Sequence, residues 1–155
     1  MVTYEDVARD LGYDFVPARE EINRGLDYIR GTPVVRDVLL SGGDPLMLAD
    51  EKLSGLIATL NRIPHLRTLR VHSRLPSVLP ERITGDLLEV LDGFNGRVVM
   101  VTHINHPNEI APANAAVFKR LARRGYALYN QSVLLRGVND DAATLARLSR
   151  ELFDN

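Results

Sequence analysis

Val34-Val35-Arg36-Asp37-Val38-Leu39-Leu40-Ser41-Gly42-Gly43-Asp44-Pro45 is the stretch whose reading decides the fold. An apolar run stops abruptly at a small polar turn, and a helical pattern follows. A strand that ends in Ser-Gly-Gly-Asp puts bare backbone at the carboxyl edge of a sheet. Gly42 and Gly43 let that backbone bend and approach a ligand closely. Asp44 offers a carboxylate to an amino group. In open sheets and barrels of parallel strands this edge is where ligands bind. The alternative is a turn that simply needs glycine. The stretch is neither a P-loop nor a dinucleotide-binding fingerprint, because it lacks the Gly-Lys-Ser/Thr of the first and the G-x-G-x-x-G spacing of the second.

Outward from this turn, helix and strand signals alternate. A helix is expected from Pro17 to Gly31, with Ile22, Leu26 and Ile29 on one face. The first strand covers Val34–Leu40. Asp50 is placed to cap a helix carrying Leu53, Leu56, Ile57 and Leu60, which Pro64 ends. A second strand follows at Leu66–His72, then a proline-bracketed loop, Ser73–Pro80. Thr84 caps a helix with Leu87, Leu88 and Leu91 inward, and Gly93 and Gly96 flank the turn into a third strand, Val98–Thr102. Pro112–Arg124 is helical, with Ala116, Val117 and Leu121 apolar and Gly125 at its stop. A fourth strand covers Ala127–Leu135. Asn139, Asp140 or Asp141 caps a last helix lined by Leu145, Leu148 and Leu152. Residues 1–16 are an irregular or partly helical lead-in.

Strands recurring every thirty residues or so, separated by helices, pair in parallel through right-handed crossovers. The fold class is therefore α/β, either a small open sheet or part of a βα barrel. The 155 residues suffice for one domain, 1–155, with a real core. Lys plus Arg number 19 and Asp plus Glu 20, which gives no electrostatic reason to expect nucleic acid. No apolar run is long enough to span a bilayer, and no signal peptide opens the chain, so a cytoplasmic location is expected. The chain has no cysteine. That excludes disulfides, zinc thiolates and an iron–sulfur cluster held by this chain's own thiolates.

Each later strand also ends in polar sequence. Ser73-Arg74 follows the second, and an arginine there can clamp a carboxylate by a bidentate pair or simply face solvent. His103 and His106, spaced H-x-x-H beside Glu109, can bind zinc or iron, or act as hydrogen-bonding histidines. A metal-dependent hydrolase built on these three residues is one reading of the chain. Asn130, Gln131 and Ser132 lie within an apolar strand and need partners if buried, so they either bond neighbouring loops or face a polar ligand. Arg120, Arg123 and Arg124 form a solvated helix face, and His65 has no assigned role.

Four stretches together carry a family resemblance. They are Arg36-Asp37-Val38-Leu39-Leu40-Ser41-Gly42-Gly43-Asp44-Pro45-Leu46, His72-Ser73-Arg74-Leu75-Pro76 continuing to Pro80, Thr102–Glu109, and Asn130-Gln131-Ser132-Val133-Leu134-Leu135-Arg136-Gly137-Val138-Asn139-Asp140. In this order they closely resemble the lysine 2,3-aminomutase family of radical S-adenosylmethionine (SAM) enzymes, from about Ile22 to the end. The His-Ser-Arg-Leu-Pro form and the closing Leu148–Asp154 look most like the branch that makes (R)-β-lysine for elongation factor P. The resemblance implies a partial (βα)6 barrel, of which this chain supplies about four βα units. It implies that Ser41, Gly42, Gly43 and Asp44 hold the methionine amino end of SAM. Ser73 and Arg74 would contact its ribose and carboxylate region, and His103 and Gln131 would also face the cofactor. The implied reaction moves the α-amino group of L-lysine to C3, using a 4Fe–4S cluster, SAM and pyridoxal phosphate (PLP).

The departures are as specific as the matches. The family's C-x-x-x-C-x-x-C loop is expected just before residues 1–20, and no cysteine occurs anywhere. The PLP lysine and the acidic residues that select lysine belong to later strands. Lys52 and Lys119, the two lysines present, sit on expected helices instead. The chain is therefore expected to be an inactive part of a longer enzyme, or else a non-catalytic SAM-binding module or partner subunit. A barrel slice also leaves open sheet edges, which are expected to self-associate.

Overall fold

The computed structural model describes the backbone of residues 19–154 and the side chains from Ile22 onward. The lead-in over 1–16 and the helix start at Pro17 lie outside the described residues. The elements are α1 (Arg19–Gly31), β1 (Asp37–Leu40), α2 (Asp50–Leu60), β2 (Thr68–Ser73), a helical turn α3 (Leu75–Val78), α4 (Gly85–Asp92), β3 (Arg97–Thr102), α5 (Pro112–Arg123), β4 (Ala127–Asn130) and α6 (Ala142–Asp154). Single 3-10 turns occupy Pro45–Met47, Pro80–Arg82 and Pro107–Glu109.

All four strands pair in parallel, in the order β1-β2-β3-β4. Strand order therefore follows chain order. Right-handed crossovers that always step the same way put every connecting helix on the same face. This is the winding of a barrel wall, whereas a doubly wound sheet reverses direction once. Packing agrees with the topology. Leu69, Val71, Val98 and Met100 join helix residues Leu53, Ile57, Leu60, Leu87, Leu88, Leu91, Val117 and Leu121 in one core, with Val38, Leu40 and Leu128 packed against it. Alternation sends Leu39, Arg70, His72, Val99, Val101 and Tyr129 to the other face. None of these six belongs to that core; Leu39 is 51% and Tyr129 59% exposed. This second face carries the Arg70–Asp37 ion pair, at 2.5 Å. The chain is thus α/β, with a four-stranded parallel sheet consistent with part of a βα barrel.

The helices form for local reasons. In α2, Leu53, Ile57 and Leu60 are buried at helical spacing, and Asp50 and Glu51 in the first turn complement the helix dipole. Asp50 is not the cap. Ala49 holds that place without a side-chain bond, and the Asp50 carboxylate accepts instead from the Arg82 guanidinium at 2.5 Å. Thr84 does cap α4, its Oγ1 accepting from the Leu87 amide at 3.1 Å. Proline opens α5, where its missing N–H costs nothing. Asp141 caps α6 by accepting from the Thr144 amide at 2.9 Å, while Asn139 and Asp140 bond elsewhere in the loop.

Several boundaries differ from the sequence expectations, those of β3 and α5 by a single residue. β1 starts at Asp37 rather than Val34, because Thr32-Pro33-Val34-Val35 closes a turn with the Val35 amide on the Thr32 carbonyl at 2.9 Å. β2 starts at Thr68 and runs on through Ser73, which lies in the strand and not in the following loop. That loop, in turn, is folded into α3 and a 3-10 turn. β4 ends at Asn130, five residues early. Its neighbour β3 stops at Thr102 and turns away, so after the Gln131 amide donates to the Thr102 carbonyl at 2.8 Å no ladder partner is left.

The core holds one strongly perturbed phenol. Tyr126 donates from its hydroxyl to Asp92 Oδ1 at 2.7 Å. Burial, then the bond to Asp92, raises its pKa far above the ordinary tyrosine range. A raised folded-state pKa stabilises fully below the unfolded value of about 10 and is lost as pH rises past it. Tyr126→Phe is therefore expected to flatten the loss of stability between about pH 9 and pH 11. Urea unfolding across that window measures it, and an unchanged slope would contradict the assignment.

Candidate functional site at the strand ends

The polar ends of β1, β2 and β3 meet at the carboxyl edge of the sheet. Gly42 and Gly43 adopt φ of 90° and 55°, in the left-handed region. No atom lies within 4 Å of where either Cβ would be. Conformation, not space, is therefore what requires glycine here. With exposed Ser41, they form a bare ledge of backbone.

Asp44 ties this ledge to β2. Its Oδ1 accepts from the Leu46 amide at 3.1 Å and the Ser73 hydroxyl at 2.8 Å; its Oδ2 accepts from the Arg74 amide at 2.8 Å. The Ser73 hydroxyl in turn accepts from the Leu75 amide at 3.0 Å, and Ser73 is only 2% exposed. The Asp44 carboxylate thus takes bonds from groups of the protein itself. Ser73 lies beneath the ledge rather than on it. The Arg74 side chain is exposed and has no hydrogen-bond partner among the described residues.

His103 stands beside this cluster. Its ring meets that of His72 edge-on, with centroids 5.7 Å apart and planes at 71°. Burial, then the neighbouring His72 and Arg74, lowers the His103 pKa, against an opposing pull from Asp44. The imidazole is therefore biased towards its neutral form, which can both donate and accept a hydrogen bond.

Asn130 and Ser132 bond a neighbouring loop, the first of the two possibilities open to them. Asn130 Oδ1 accepts from the Ile104 amide at 2.9 Å, its Nδ2 donates to the Ile104 carbonyl at 2.8 Å, and the Ser132 hydroxyl donates to that carbonyl at 2.6 Å. Asn139, fully buried, completes the link by donating to the Asn105 and Val133 carbonyls. Gln131 is exposed, and its side-chain amide has no partner among the described residues. It stands two strand spacings from β2, roughly 10 Å along the edge.

The H-x-x-H motif does not assemble a metal centre. His106 Nδ1 accepts from the Asn108 amide at 3.1 Å, and Glu109 Oε1 accepts from the Asn105 and His106 amides, each at 2.8 Å. This is a capping box for the Pro107–Glu109 turn, in which His106 Nδ1 and Glu109 Oε1 hold backbone amides. Among the described residues no group of three or more His, Cys, Asp or Glu could hold a metal ion. The described residues therefore give the hydrolase reading no metal centre.

His72, read only as part of a strand and a motif, and Asn139, expected only as a possible helix cap, also belong to this edge. The signal for His72 was available, since it shares β2's outer face with Arg70 at strand alternation. The role of Asn139 depends on Asn105, a contact spanning 34 residues, which no local pattern announces.

No family model matches the chain. Curated proteins do. Over 146 residues, covering 94% of this chain, it is 47% identical to the L-lysine 2,3-aminomutase of Haemophilus influenzae. It is 50% identical to that of Clostridium subterminale over 133 residues, 86% of the chain, and 47% identical to that of Escherichia coli over 129 residues, 83% of the chain. The matched stretch is 43%, 32% and 38% of those three proteins. The chain therefore spans well under half the length of the curated relatives it matches.

Proposed function

The chain belongs to the L-lysine 2,3-aminomutase family, and from that premise we propose that its strand-end ledge is part of the SAM-facing wall of an enzyme that converts L-lysine to β-lysine. The observation that supports this reading is the meeting of Gly42-Gly43-Asp44, Arg74 and His103 at the carboxyl ends of three adjacent parallel strands. In this reading the exposed backbone at Gly42 and Gly43 receives the methionine amino end. Asp44 supplies the negative charge behind that backbone while holding β2 in place. Arg74 pairs with the carboxylate, a charge-assisted contact for which its guanidinium, exposed and unpartnered among the described residues, is suited. His103 and Gln131 offer neutral hydrogen-bonding groups further along the edge. Ser73 acts through Asp44 and not by touching the ligand.

The residues fit SAM but not the other two cofactors of the resemblance. No thiolate is present to ligate a 4Fe–4S cluster. Lys52 and Lys119 are exposed on α2 and α5, the helix side of the sheet, so neither reaches the ledge as a PLP lysine would need to. We therefore take this chain by itself to bind SAM without cleaving it. The absence of cysteine equally favours a second reading, a non-catalytic SAM-binding subunit that works beside another chain.

Titration calorimetry with SAM tests both. Binding is expected, weakened about tenfold by Arg74→Ala, a loss of about 1.4 kcal/mol. Under reducing conditions the isolated chain is expected to release no deoxyadenosine. A folded sample that takes up no SAM would sink the site assignment.

A further inference from the structure

Of the chain's four histidines, two are structural by their contacts. His65 Nε2 bonds the Ile29 carbonyl at 3.0 Å, and His106 Nδ1 caps a turn. His72 and His103 differ. Neither ring nitrogen pair has a hydrogen-bond partner among the described residues, and each ring is placed by the other. The contact is geometrically favourable, since aromatic rings prefer edge-to-face packing at centroid separations of about 4.5–7 Å. It also follows from the sheet. His72 is registered with Val101 on β3, so His103, two residues beyond Val101, arrives on the same side and just above it.

We propose that His72 is a positioning residue, whose ring, packed edge-to-face, fixes the His103 imidazole in the orientation that presents it to the strand-end ligand. The proposal rests on the SAM-wall reading of that edge and adds to it a residue which itself need not touch the ligand. It accounts for a half-buried polar side chain on the sheet face away from the helices, with no bonded partner among the described residues. Removing the ring leaves His103 free to rotate about its side-chain torsions, so the bound orientation becomes one of several. Among the described residues, Asp44, Arg74 and His72 are the titratable or charged groups that act on His103. Loss of His72 removes one of the two neighbours that oppose its protonation.

The test uses the whole chain, with His72→Ala, His72→Phe and His103→Ala. His72→Ala is expected to weaken SAM about five- to tenfold, whereas His72→Phe, which keeps an aromatic edge, stays within about twofold of the parent. Imidazole NMR is expected to show the His103 resonances moving in His72→Ala and its titration midpoint rising. A merely structural role would not separate the phenylalanine from the alanine variant in affinity. If SAM binds the parent and His103→Ala loses it, yet His72→Ala binds normally, the proposal is overturned. If the parent itself binds no SAM, the SAM-wall reading fails instead. His103 resonances unchanged in His72→Ala would then overturn the positioning claim independently. Should His72→Ala not fold, weakened SAM binding by a folded His72→Gln supports the proposal, and parent-like binding overturns it.

Discussion

Asp44→Ala is expected to destabilise the chain by about 3 kcal/mol and to detach the β1 turn from β2. Two backbone amides and one hydroxyl donate to this carboxylate, from Leu46, Arg74 and Ser73. Hydrogen bonds to a charged group contribute about 1.5–3 kcal/mol each, and leaving a buried donor without a partner adds a further cost. Ser73 is the buried one. Partial exposure of Asp44 lets water satisfy some of the rest, which is why the sum is discounted to about the value of one or two bonds. For a domain of this size the midpoint of thermal unfolding falls by roughly 6–12 °C. Urea unfolding with an unchanged m-value measures the free energy, and hydrogen exchange at the Arg74 amide reports the local opening. Asp44→Asn should lie between parent and alanine variant, because one oxygen still accepts. A loss below about 0.5 kcal/mol for the alanine variant would mean the carboxylate holds nothing together.

Gly96→Ala is the second large effect, expected to cost about 3 kcal/mol or more. A Cβ there would sit 2.4 Å from the Arg67 carbonyl oxygen, 2.7 Å from Phe94 Cε1 and 2.9 Å from the Arg67 carbonyl carbon. Two of these are backbone atoms and cannot swing aside. The same Arg67 carbonyl accepts from the Arg97 amide at 2.8 Å, the bond that starts the β2–β3 ladder. Relief of the clash therefore pulls apart the two central strands or pushes Phe94, 6% exposed, out of the core. Gly43→Ala makes the informative comparison. Nothing crowds that position, so only its positive φ resists, at about 1–2 kcal/mol. Denaturation curves that ranked Gly43→Ala above Gly96→Ala would contradict this account.

These two glycines show what kind of information the sequence carried. Gly42-Gly43 was legible because a strand pattern ran into it and a helix pattern left it. Gly96 read as one more turn residue; its requirement comes from Arg67, twenty-nine positions away in the chain. The same division runs through the candidate site. Gly42, Gly43, Arg74, His103 and Gln131 stand exposed or half-exposed along one edge. Ser73, in contrast, is buried beneath it, because β2 runs one residue further than its apolar pattern indicated. Asn130 and Ser132 turned out to serve the loop after β3, since the carbonyl and amide of Ile104 needed partners where the ladder stopped.

The sequence by itself determined the alternation of helix and strand, the parallel pairing that alternation enforces, the family through its four motifs, and the absence of any thiolate. These properties are written in local periodicity, short motifs and composition, which need no knowledge of distant contacts. Only the tertiary structure decided that the strands step in one direction with their helices on one face. It also decided that Asp44 grips the end of β2, that Glu109 caps a turn, and that His72 meets His103. Each of these depends on register or on which of several competing donors reaches an acceptor first. Partners about thirty residues apart are chosen by the packing of the whole sheet, so no stretch of the chain read alone contains the answer.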